Sequence, residues 1–136
     1  MKSLFLTILF SCLFISCDRD ENSIKNTSII GTWRLTQAKI SDGGLDTKWK
    51  SVKNGEQYTF NADSTFTSTQ FSECSTGHFT TDGNIIELDY DCDNFNTGLE
   101  NSEGKLTRYF RVENNTLFLN PSNCIEECTY KLKKIK

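Results

Sequence analysis

The sequence predicts an all-β domain, a small eight-stranded antiparallel up-and-down barrel, and three observations predict it. From Ile29 onward, short runs rich in Thr, Phe, Tyr, Ile and Val alternate apolar with polar residues, the period of a strand with one buried face. Asn, Asp, Gly and Ser separate the runs, mostly as turns too short to carry a parallel crossover. No stretch of ten residues has helical periodicity, and the one proline, Pro121, falls in a loop. Eight antiparallel strands joined by short turns can close on themselves and remove their edges. A two-sheet sandwich is the competing architecture; it would use the longer connections at 41–55 and 91–104 as crossings between sheets.

The first run, residues 29–40, places Ile29, Gly31, Trp33 and Leu35 on one face and Thr32, Arg34 and Thr36 on the other. The second, 56–61, points Tyr58 and Phe60 together, and after Ala62-Asp63-Ser64 the third, 65–71, holds Phe66. The fourth and fifth form a hairpin in which His78-Phe79-Thr80-Thr81 meets residues 84–90, with Leu88, across Asp82-Gly83, a two-residue turn of a type that needs positive φ. The sixth, 105–112, alternates Leu106, Arg108, Phe110 and Val112; Glu113-Asn114-Asn115 turns it into the seventh, 116–120. The eighth, 129–135, has Tyr130 and Leu132 on one face. An eight-stranded barrel either fills with side chains or surrounds one small ligand. The candidate lining is Trp33, Leu35, Tyr58, Phe60, Phe66, Phe79, Leu88, Phe110 and Tyr130. Small inward residues near a mouth would leave room for a ligand, and rings there would fill it.

Residues 1–16 have the order of a secretory signal: Met1-Lys2, an apolar run over 4–15 broken by Thr7, Ser11 and Cys12, then Ser16 before Cys17 and the charged Asp18-Arg19-Asp20-Glu21. The apolar run is shorter than the ~20 residues of a spanning helix. Leu13-Phe14-Ile15-Ser16-Cys17 resembles the bacterial lipobox, in which the chain is cut before a cysteine that is then acylated. Leu9-Phe10-Ser11-Cys12 fits the spacing better, but a cut there would expose Leu13, Phe14 and Ile15 and leave an odd thiol. Cutting at Cys17 leaves four cysteines, an even set for an oxidising compartment. Residues 17–28, polar apart from Ile24, read as a flexible linker, and 29–136 as the single domain. The expected location is the bacterial outer membrane, lipid-anchored and facing the periplasm or the surface; Asp18-Arg19-Asp20-Glu21 resembles the acid-rich surface-export tag of Bacteroidetes lipoproteins. Loss of Lys2 with the signal leaves 14 basic against 18 acidic residues, which argues against a nucleic-acid partner.

Gly31-Thr32-Trp33-Arg34-Leu35 resembles the opening Gly-x-Trp strand of lipocalins. Residues 58–67, then Gly77-His78-Phe79 with Asp82-Gly83-Asn84, and Leu117-Phe118-Leu119 are similar to the short lipocalin-like domains of Bacteroidetes lipoproteins. The resemblance covers residues 29–136 and implies a lipocalin-like barrel. It also implies that Trp33 lies across a closed end beneath a basic side chain, for which Arg108, Arg111 and Lys131 are the candidates.

Cys74, Cys92, Cys124 and Cys128 allow three pairings. If Thr81 faces Asn84, Cys74 falls opposite Asp91, one residue from Cys92, and a single bulge aligns them. Cys74 is therefore expected to bond Cys92, and Cys124 to close a small ring with Cys128; the spacings are not those of a zinc site. Asp89, Asp91, Asp93 and Glu100 match places 1, 3, 5 and 12 of a calcium loop, but Asn94 stands where that loop needs glycine, and no metal is expected. His78, the one histidine, has no nucleophile motif beside it, and Trp49 reads as an exposed ring or the lid of a mouth. Together these readings describe a non-enzymatic, membrane-anchored, lipocalin-like lipoprotein without a cofactor, holding a small apolar or amphipathic molecule in its barrel. The alternative is a filled barrel that engages an envelope protein, as an interaction or inhibitor module, through its long loops.

Overall fold

The computed structural model describes residues 28–41, 43, 47–99 and 103–136. The segments read above as a signal peptide (1–16) and, up to Thr27, as a linker, with Cys17, and also Glu100 lie outside the described residues. Nine strands follow one another: β1 (Gly31–Ile40), β2 (Lys50–Ser51), β3 (Gln57–Phe60), β4 (Thr65–Ser68), β5 (Thr76–Asp82), β6 (Ile85–Tyr90), β7 (Lys105–Glu113), β8 (Thr116–Pro121) and β9 (Cys128–Lys134). Every pairing is antiparallel, neighbours from β3 to β9 pair in chain order, and β9 pairs with β1 to close the barrel. The sandwich is thereby excluded, and eight strands make the closed wall. The ninth, β2, has two residues and pairs only with Gln37 and Ala38 of β1, beyond the point where the four-residue β3 has ended.

Alternation places the core where the sequence predicts it. Trp33, Tyr58, Phe60, Phe66, Ile86, Leu88, Leu117 and Leu132 are fully buried inside. One side of the interior is aromatic: Phe60 stands edge-on to Phe79 at 5.1 Å, and Phe66 to Tyr90 at 5.0 Å. The other side, from β6 to β9, is aliphatic, with Ile86, Leu88, Leu106, Val112, Leu117, Leu119 and Leu132. In β1 the register against β9 slips between Leu35 and Gln37, so Thr36 is the extra residue of a bulge. Past the bulge Ala38 is opposite Tyr130, which is in turn opposite Leu119 on the inner face.

The β5–β6 hairpin departs from the predicted register. Asp82 pairs with Ile85, so the two-residue turn is Gly83-Asn84 rather than Asp82-Gly83. Gly83, with φ 56°, occupies the first central position, where a type II′ turn requires positive φ. In the β7–β8 hairpin, Asn114 and Asn115 (φ 48° and 55°) both take the left-handed conformation that a type I′ turn needs. Glu113 pairs with Thr116 across them.

Both disulfides have the predicted partners. Cys74 joins Cys92 with Cα atoms 5.8 Å apart, and Cys124 joins Cys128. In the observed register Cys74 falls opposite Asp93, again one residue from Cys92, so the slipped hairpin leaves the pairing intact.

Candidate functional site

The two ends of the barrel differ in chemistry. At one end Trp33 is wholly buried and donates its indole N–H to the Ile29 carbonyl at 2.6 Å. Lys134 lies over the ring, with Nζ 5.3 Å from the centroid, and donates to the Ile30 carbonyl at 2.9 Å. The basic cover of Trp33 is therefore Lys134, and not Arg108, Arg111 or Lys131 as predicted. The reason is topological: β9 ends beside the start of β1, with Trp33 opposite Lys134 itself. Gly31 allows this approach. Its φ is 129°, and a Cβ there would stand 2.6 Å from the Lys134 side chain and 2.7 Å from the Lys136 carbonyl oxygen.

The other end opens into a cavity of about 390 Å³. Gln70 and Phe71 line it from the β4–β5 connection, Thr97 and Leu99 from the β6–β7 connection, and Leu106 and Arg108 from β7. Pro121, Tyr130 and the Cys124–Cys128 bridge complete the wall. Two inward positions towards this end carry small residues, Ala38 opposite Tyr130 and Ser68 opposite Tyr58. The Tyr58 hydroxyl donates to the Gln70 side-chain carbonyl and so holds one of the lining residues.

Arg108 is the one charged residue among the described core positions. It occupies an inward place in β7 between Leu106 and Phe110, is 8% exposed, and its guanidinium lies 5.9 Å from the Tyr130 ring centroid. Its Nε has no hydrogen-bond partner within the protein, and none of the ion pairs of the described residues includes it. Burial pushes the Tyr58 hydroxyl far above its ordinary pKa and raises that of Tyr90, and the charge on Arg108 opposes the rise at both.

The predicted lining residues divide unevenly. Trp33, Leu35, Tyr58, Phe60, Phe66, Phe79 and Leu88 belong to the packed core, and Phe110 packs against it. Of the nine, Tyr130 alone lines the open cavity. The sequence does not single out Phe71, Thr97 or Leu99 as lining: Phe71 ends the run read as the third strand but lies beyond β4, which stops at Ser68, and Thr97 and Leu99 stand in a connection without a period. Arg108, one of the three candidates for the cover of Trp33, lies instead near the Tyr130 ring. Its one legible trace was a charged residue in the inward series of β7.

The calcium-like spacing is spent on other bonds. Asp89 pairs with Lys105 at 3.1 Å, Asp91 with His78 at 3.0 Å, and Cys92 is in a disulfide. Among the described residues no three His, Cys, Asp or Glu side chains are grouped as metal ligands. His78 is exposed on the outer face of β5. Trp49 also lies on the outer wall, 6.4 Å from Phe118 and under Lys131 Nζ at 5.4 Å, with the Arg111 guanidinium 3.9 Å over Phe118. It is a rib of the exterior and not a lid, and this stack is where Arg111 and Lys131 are engaged.

Comparison with known proteins agrees with this architecture. The chain superposes on the crystal structure of a lipocalin-like protein from Bacteroides uniformis with a TM-score of 0.54 and 18% sequence identity, covering 78% of this chain and 97% of that one. A DUF4847 family protein from Bacteroides vulgatus gives a TM-score of 0.47 at 16% identity, over 76% of this chain and 91% of that one. No curated protein matches the sequence. The family model of the lipocalin-like domain matches residues 29–119, which include the Gly31-Thr32-Trp33 opening, the aromatic wall and the cavity-lining β7. With most of the chain matched and the barrel closed as that fold requires, the protein belongs to the lipocalin-like domain family.

Proposed function

We propose that this protein is a membrane-anchored binding lipoprotein that holds one small amphipathic molecule at the open end of its barrel. The observation that carries the reading is the cavity: about 390 Å³ at one end of an otherwise packed interior, within the ~300–1,000 Å³ typical of small-molecule sites. Its wall combines apolar surface from Phe71, Leu99, Leu106 and Tyr130 with a few polar groups, the composition of a site that orients an amphiphile. A non-enzymatic role is part of this reading by analogy of fold alone, since lipocalin-like barrels typically bind rather than catalyse. The anchor is Cys17 in this proposal, with the linker suspending the barrel above the outer membrane.

Native mass spectrometry of the full chain, recovered from the envelope of an expressing bacterium, tests the binding role. A co-purifying small molecule that is lost on denaturation is expected. A protein that never carries one and takes up no added amphiphile would favour the second reading, supported by the filled core, in which the loops contact an envelope protein. The anchor has its own test: Cys17→Ala should move the chain from the membrane fraction to the soluble one, since two or more acyl chains are needed for stable anchoring.

A further inference from the structure

We infer that the occupant of the cavity is a carboxylate amphiphile whose charged end is seated on Arg108; the inference rests on the binding role proposed above. Removing a guanidinium from water without a compensating partner is costly, so a buried arginine is ordinarily paired with an acid. Here the pairing is missing from the protein itself: Nε of Arg108 has no partner, and among the described residues no carboxylate lies within ion-pair distance. The side chain is more than nine-tenths buried and lines the cavity. An arginine so placed presents a planar fork of donors that a carboxylate meets with two parallel hydrogen bonds.

The surroundings narrow the ligand further. A single buried cation neutralises a single negative charge. A phosphate monoester would bring a second charge into a wall whose other polar groups are neutral: Gln70, Thr97 and Asn123. Depth orients the molecule. Arg108 and Leu106 are deep, at 8% and 2% exposed, and Leu99 at 38% lies towards the opening. The carboxylate therefore enters first, and the apolar tail lies along Phe71, Leu99 and Pro121 towards the mouth.

The test compares decanoate, decan-1-ol and decyl phosphate by titration into the full chain, followed by intrinsic fluorescence. Decanoate should bind about tenfold or more tightly than decan-1-ol, the effect of one charge-assisted bond, and more tightly than decyl phosphate. In Arg108→Met the preference for decanoate over decan-1-ol should vanish, with the affinity for decan-1-ol kept or improved. Equal binding of decanoate and decan-1-ol by the unaltered chain overturns the anion inference and leaves the binding role standing. Stronger binding of decyl phosphate overturns the carboxylate assignment. Binding of none of the three overturns both. The comparison on the unaltered chain decides the matter even if Arg108→Met does not fold.

Discussion

Trp33 spans the closed end, and its indole N–H is the bond that satisfies the Ile29 carbonyl. Trp33→Phe keeps most of the apolar area but leaves that carbonyl without its donor, and should cost about 1–3 kcal/mol in urea denaturation. Lys134→Met, which removes the cation above the ring together with its exposed hydrogen bond to the Ile30 carbonyl, should cost about 1–2 kcal/mol in the same assay. Gly77 shows the opposite constraint, absence of a side chain. A Cβ there would stand 2.2 Å from the Asp89 carbonyl oxygen and 2.6 Å from the Phe66 ring. Gly77→Ala must therefore displace a fully buried ring or separate β5 from β6, and should lower stability by about 1–3 kcal/mol. The Gly-x-Trp opening was legible in the sequence as a resemblance, whereas the clearance at Gly77 was not, because it depends on the rotamer of Phe66, which stands directly opposite on the adjacent strand β4.

At the scale of elements, the turns and the bridges set the register. Asn114 and Asn115 both adopt positive φ in the β7–β8 turn, a conformation that costs an ordinary residue roughly 1–2 kcal/mol. Asn115→Ala should accordingly lower the unfolding free energy by an amount in that range, read from a lowered denaturation midpoint at unchanged m. The two disulfides divide by loop length. Cys74–Cys92 closes a separation of 18 residues and Cys124–Cys128 one of 4. In the loop-entropy account these are worth about 3 and about 2 kcal/mol, and Cys74 is also part of the core at 2% exposed. Cys74→Ala with Cys92→Ala should therefore destabilise more than Cys124→Ser with Cys128→Ser, as read by equilibrium unfolding. The second pair also lines the cavity, so under the proposed function its loss should weaken ligand affinity in addition. Both pairings follow from sequence order: Cys74 and Cys92 flank the β5–β6 hairpin, and Cys124 and Cys128 close a small ring within the β8–β9 connection. The register between them does not: moving the turn from Asp82-Gly83 to Gly83-Asn84 shifts each partner by two residues and leaves every inward side chain inward, so alternation cannot separate the two; the turn adopted asks positive φ of Gly83 alone and spares Asp82 that conformation.

For the molecule as a whole, a closed barrel has one interior, and its packing governs the response to pH. Burial holds the Tyr58 phenol above its ordinary pKa of 10.0 and raises that of Tyr90 as well. A raised pKa means that the folded state keeps protons that the unfolded chain gives up. The resulting stability is present below about pH 10 and is lost as pH rises beyond it. Phenolate absorbance near 295 nm after a rapid alkaline jump should show the Tyr58 and Tyr90 share appearing together with the loss of far-ultraviolet β signal, not ahead of it. The all-β class, the eight wall strands, the inward residues and the disulfide partners were all readable along the chain. These follow from local period, turn chemistry and cysteine order, which neighbouring residues carry. The assembled barrel alone sets which end stays open, that Lys134 covers Trp33, and that Arg108 lies in the cavity with no acidic partner among the described residues. Those depend on which strand ends meet when β9 closes against β1, and on loops whose residues have no period, so they arise from contacts between segments far apart in the chain.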